Sequence, residues 1–99
     1  MKTIDITEHK VLNQSKRIFN NSRGQMISKL NEEFLELKDE LTNEKTAFSK
    51  ENVINELGDL AYVLCQLMDN FDTNYRECLN YAIKKIDKRE REGRIKLKK

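Results

Sequence analysis

Apolar residues recur along this chain at the three- and four-residue spacing of one helix face, and they do so in four stretches. The strongest runs from Asn52 to Phe71, NVINELGDLAYVLCQLMDNF, with Val53, Leu57, Leu60, Leu64, Leu67, Met68 and Phe71 on one broad face. A second helix is predicted from about Arg23 to Asn43, burying Met26, Ile27, Leu30, Phe34, Leu37 and Leu41. Before it, Val11, Leu12, Ile18 and Phe19 give a narrow stripe over about residues 7–20, with Asp5 or Thr7 as cap. After the central stretch, a fourth helix from about Asn74 to Glu92 turns Tyr75, Cys78, Leu79, Ala82, Ile83 and Ile86 inward.

The punctuation between the stripes is polar. Asn20-Asn21-Ser22 reads as a break and a new cap, Ser49 as the cap of the central helix, and Asp72 or Thr73 as that of the last. Gly93 is a C-terminal stop. Residues 1–6 form a lead-in and 94–99 a basic tail, so the expected fold is a single all-α domain over 1–99, four-helix bundle-like.

Composition agrees with this and names no partner. There is no proline, three glycines stand in 99 residues, and 36% charged against 37% hydrophobic residues suits amphipathic helices. A net charge of +2 is too small to imply nucleic acid, and the basic tail has interleaved acids without aromatic partners. Cys65 and Cys78 lie on different predicted helices, with no CxxC or Cys/His metal spacing, as expected of buried thiols in a reducing cytoplasm. Glu56, Asp59 and Gln66 interrupt the central run, which excludes a membrane span.

Those acids carry the chemistry. At roughly 100° per residue, Glu56 projects into the apolar arc and Asp59 lies about 60° further round. A buried, unpaired carboxylate is costly, so a positive partner is expected. The second helix repeats the pattern with Glu33 and Glu36, again at i, i+3. Antiparallel packing through the two stripes brings all four carboxylates to one place. Each pair at 4 Å repels by about 4 kcal/mol at an effective dielectric of 20, so a cation or shifted protonation is required. An all-oxygen set suits hard divalent ions, Mg²⁺ or Mn²⁺. Either acid pair alone is common on a solvated helix face. Both together, on sequential helices, point to a site.

LNEEFLEL (Leu30 to Leu37) followed by ELGDLAYVL (Glu56 to Leu64) resembles the MazG-like all-α nucleoside triphosphate pyrophosphatases. The family signature, EExxE then ExxD, is met by Glu32, Glu33 and Glu36, then Glu56 and Asp59, across a gap of nineteen residues. The resemblance covers about residues 23–70, and the fourth helix more loosely. It implies cleavage of the α–β phosphoanhydride of a nucleoside triphosphate to the monophosphate and pyrophosphate. Glu33, Glu36, Glu56 and Asp59 would hold Mg²⁺ (or Mn²⁺), and Glu33 or Glu36 would accept a proton from the attacking water. Glu32, pointing off the stripe, is assigned no direct ligation.

The resemblance also implies phosphate contacts from the last helix, best matched by Lys85 and Arg89, and a clamp for the base, for which Tyr62, Phe19 and Phe48 are candidates. His9, without a catalytic partner, is expected at the surface. Ile54, Ala61 and Cys65 make the central helix apolar nearly all round, so a homodimer or a dimer of dimers is expected. Two rival functions stand beside this one. Phosphoribosyl-ATP pyrophosphohydrolase has similar carboxylate spacing, but its alanine-rich segment and paired alanines are not matched by EEFLELKDEL and ELGDL. A non-catalytic helical interaction or nucleic-acid-binding module is the other.

Overall fold

The computed structural model describes residues 5–19, 22–42 and 50–94. Within them lie four helices: α1 (Ile6–Ile18), α2 (Arg23–Thr42), α3 (Lys50–Asn70) and α4 (Tyr75–Arg91). The fold is all-α, and the four expected helices are present in the expected order. Asn20, Asn21, the 43–49 connection with Phe48 and Ser49, and the tail from 95 onward lie outside the described residues.

Local chemistry sets each described boundary. The Asp5 carboxylate accepts from the Thr7 backbone N–H at 2.8 Å, and Ser22 Oγ accepts from that of Gln25 at 3.4 Å. The cap of α4 is Asn74, not Asp72 or Thr73; its side chain accepts from the Glu77 N–H at 2.9 Å. Asp72 instead takes the left-handed position that closes α3, at φ 53°, and the Thr73 N–H returns to the Met68 carbonyl at 2.9 Å. Aspartate tolerates that conformation because its short polar side chain can bond locally. Gly93, at φ 69°, ends α4 in the same manner, with the Arg94 N–H on the Arg89 carbonyl at 2.9 Å.

The main packing is α2 along α3. Their direction is antiparallel: Asn70, at the end of α3, reaches Met26 Sδ near the start of α2 at 3.8 Å, while Glu36 lies beside Glu56. α1 lies on α3, joined by the Tyr62–Gln14 hydrogen bond at 2.9 Å and the Lys16–Asp69 ion pair at 3.6 Å. Among the described residues, Leu12, Met26, Val63 and Cys65 are the buried apolar ones, with Ser15 fully enclosed and its hydroxyl donating to the Leu12 carbonyl at 3.1 Å.

The buried faces are narrower than the apolar stripes. On α2 the inner line is Met26 and Glu33, flanked by half-buried Leu30 and Leu37, while Ile27, Phe34 and Leu41 are exposed. Leu57, Phe71, Ile18 and Phe19 are likewise open, and α4 has no buried residue, leaving Leu79, Ile83 and Ile86 exposed. The physical reason is that α2 and α1 each pack chiefly against α3, which leaves their outer faces uncovered. α4 is tied to the rest near its start, where Tyr75 Oη donates to the Ala61 carbonyl at 2.8 Å and the Tyr75 N–H meets Glu8 at 3.5 Å. The Cα radius of gyration, 16.5 Å, exceeds the ~13 Å of a compact chain of this size.

Candidate active site

Each helix of the α2–α3 pair delivers one acid inward and one at the edge. Glu33 is buried and Glu36 exposed on α2; Glu56 is half-buried and Asp59 exposed on α3. One carboxylate oxygen from each of the four lies within 4.8 Å of the other three. The i, i+3 spacing on antiparallel helices produces this convergence directly, since each pair occupies one face over one turn.

Two of the oxygens are orphans. Glu33 Oε2 and Glu56 Oε2 are buried and have no hydrogen-bond partner. Such atoms are rare because desolvation without a partner is costly. The remaining Glu33 oxygen meets Lys29, one turn back, at 3.2 Å, and the same ammonium lies 3.7 Å from Glu32. The Glu36 pKa is raised, first by proton sharing with Glu33 and then by the charges around it, including Glu56. Lys29 is pushed up as well, chiefly by its bond to Glu33. A hard, oxygen-only donor set with two unsatisfied buried oxygens and carboxylates competing for protons fits a divalent cation.

A cleft of about 490 Å³ opens beside these acids, sharing Glu33 and Asp59 with them. Its α2 wall runs Glu33, Lys29, Gln25 and Met26; its α3 wall runs Asp59, Tyr62, Val63 and Gln66. α1 closes the third side with Gln14, Ile18 and Phe19. From Glu33 to Gln25 is eight residues of helix, about 12 Å. Tyr62 and Phe19 meet edge to face, centroids 6.2 Å apart at 84°. Burial raises the Tyr62 pKa, and its hydroxyl is held by Gln14.

The four acids expected to gather are therefore together, and Tyr62 and Phe19 line the adjoining cleft. Lys85 and Arg89 do not; both are exposed on α4 and neither lines the cleft. His9 is exposed, and Glu32 stays at the surface with Lys29. Apolar periodicity passes over Gln14, Gln25 and Gln66. The signal available was the four-residue ladder Gln25, Lys29, Glu33, which places an amide and an ammonium on the face of a buried acid.

The sequence model of the phosphoribosyl-ATP pyrophosphohydrolase family matches residues 2–86. The chain belongs to this family. It falls within the MazG-like all-α superfamily, so the shared acids are common ground and the unmatched alanines do not exclude membership. Members of the phosphoribosyl-ATP pyrophosphohydrolase family are hydrolases acting on acid anhydrides, and this protein is an enzyme of that class. They generally use a divalent metal. No curated protein and no solved structure gave a match. Among the described residues, no helix is long and apolar enough to cross a membrane.

Proposed function

We propose that the protein hydrolyses the α–β phosphoanhydride of a nucleoside triphosphate, ribo or deoxy, releasing the monophosphate and pyrophosphate. The observation that carries this is the convergence of Glu33, Glu36, Glu56 and Asp59 within 4.8 Å, two of their oxygens buried without partners. These four residues would hold Mg²⁺, with Mn²⁺ as the near equivalent. Bound there, the ion would neutralise phosphate charge and raise the acidity of a water. Glu33, buried and fixed by Lys29, acts as a ligand. Glu36 faces solvent at the edge of the set, so we assign to it the acceptance of the water's proton. The water oxygen attacks the α-phosphorus, the bond from that phosphorus to the bridging oxygen breaks, and pyrophosphate departs with the bridging oxygen.

The nucleoside would occupy the adjoining cleft. Its ~12 Å length along α2 suits a sugar and base extending from a phosphate held at the acids. Tyr62 and Phe19 supply apolar contact, and Gln14, Gln25 and Gln66 supply amide donors and acceptors. The family match supports a second substrate, phosphoribosyl-ATP. That molecule carries another phosphate beyond the base, which calls for cations at the far end of the cleft. Among the described residues lining it, Lys29 is the sole cation, and it stands beside Glu33. This favours an ordinary triphosphate.

Exposed Leu79, Ile83 and Ile86 on α4, and the extended shape, support a homodimer, or a dimer of dimers, covering that face. Pyrophosphate release with Mg²⁺ from a panel of ribo- and deoxynucleoside triphosphates and phosphoribosyl-ATP tests the assignment. Turnover of phosphoribosyl-ATP alone would replace the first substrate with the second.

A further inference from the structure

We infer that Lys29 is a further catalytic residue, whose ammonium leaves its carboxylate partners to meet the α-phosphoryl group of the substrate. This rests on the hydrolase assignment above and adds to it a residue outside the four acids.

Lys29 sits where two features meet. On one side its Nζ is 3.2 Å from Glu33 Oε1 and 3.7 Å from Glu32 Oε1. On the other it lines the cleft, one helical turn, about 6 Å, from Glu33 toward Gln25. With the nucleoside along that wall and the phosphates at the acids, as proposed above, the α-phosphoryl group would fall between them. That is where the ammonium stands. A lysine carries three donors on a flexible stem. Two directions are taken by Glu33 and Glu32, and the side chain is half exposed, so it is free to turn.

Glu33 is buried, so its pairing with Lys29 already gives the lysine a structural use, and only the kinetic split below separates that use from a contact with substrate. Its charge also has a use in the reaction. As water adds to the α-phosphorus, negative charge is redistributed over the phosphoryl oxygens, and a fixed cation beside them lowers the barrier. In the nucleotide-free chain the same ammonium offsets part of the repulsion among the acids. Lys29 thus has two alternative anionic partners, carboxylate and phosphoryl, within reach of one stem.

The test compares wild type with Lys29→Met and Lys29→Arg, and uses Lys38→Met, an exposed change on the same helix away from the cleft, as control. Mn²⁺ is titrated into the substrate-free proteins, and kcat and KM are measured on whichever panel nucleotide the wild type turns over. The expected result for Lys29→Met is a loss of about a hundredfold in kcat/KM, mostly in kcat, with recovery of most of it in Lys29→Arg. Mn²⁺ affinity should be unchanged or a few-fold tighter, because a competing cation has gone. Weakened Mn²⁺ binding together with lost turnover would reduce Lys29 to a prop for Glu33 and overturn the phosphoryl contact. Full activity in Lys29→Met overturns it too, leaving the hydrolase intact. A wild type inert toward the whole panel removes the hydrolase assignment, and the Lys29 contact with it.

Discussion

The α2–α3 seam and helix α4 treat the same kinds of residue in opposite ways. In the seam, Glu33 is 4% exposed, while Phe34 beside it is 55% exposed. On α4, a more strongly amphipathic helix, nothing is buried, and Ile83 and Ile86 stand open. In the first region the chain accepts the cost of enclosing charge. In the second it leaves apolar surface uncovered. On the proposed reading, a divalent ion would offset the first and a second copy of the chain would cover the second.

The largest effect expected from breaking the seam is on turnover. Glu56→Gln should reduce it to below about 1% of wild type, since one member of the charge-stabilising set is lost. The metal-free variant should fold and melt at the same temperature or higher, because one of four mutually repelling charges has gone. A variant with wild-type kcat on its best substrate would sink the assigned role of Glu56. Next in size is the effect of the ion itself. Mg²⁺ at a hundred times its dissociation constant should add about 2.7 kcal/mol to folding stability. Glu56→Gln should show much less of this increment, as read by thermal melts with and without Mg²⁺.

The contrast also marks what the sequence could disclose. The positions of α2 and α3, and the side on which their acids lie, were legible because a three-residue acid spacing on a helix fixes direction. Glu56 inside an apolar arc was the most telling single residue. The cleft was not legible, because its third wall comes from α1, and no periodicity within α2 or α3 reports where Gln14 and Phe19 will arrive. The exposure of Ile27, Phe34 and Leu79 was hidden for a related reason. An apolar stripe states that a face wants cover and leaves open whether the same chain supplies it. Lys85 and Arg89 follow from this: their helix is anchored near its start, so their distance from the acids depends on packing the pattern does not encode.

On the α4 side, Ile83→Glu with Ile86→Glu should convert a dimer to monomer by light scattering, with α2–α3 still folded by circular dichroism. A wild type that is already monomeric at high concentration would remove the partner from α4. The attachment of α4 to its own chain is a smaller matter. Tyr75→Phe deletes the hydrogen bond to the Ala61 carbonyl, at 2.8 Å, and should cost about 1 kcal/mol in urea unfolding. Burial first, then the nearby Cys65, raises the Tyr75 pKa, so this hydroxyl keeps its proton at neutral pH and the bond is present there. A loss close to zero would mean that α4 is held by a partner rather than by Tyr75.

The smallest expected effect is a pH trend, and its sign distinguishes the two regions. The Glu36 pKa is raised above its ordinary 4.5, first by Glu33 and then by the surrounding charges. With the folded value above the unfolded one, the native state binds more protons in the window between them. Stability of the metal-free protein should therefore fall as pH rises from about 4.5 through the raised value, and be recovered on acidification through it. Glu36 is exposed, so the slope should be shallow and screened by salt. Saturating Mg²⁺ favours the ionised carboxylates and should flatten or reverse the slope. The charge changes on α4, remote from the acids, should leave it as it was. Melting temperatures of wild type and Glu36→Gln across that window, with and without Mg²⁺, decide the matter: a slope that survives in Glu36→Gln belongs to some other group.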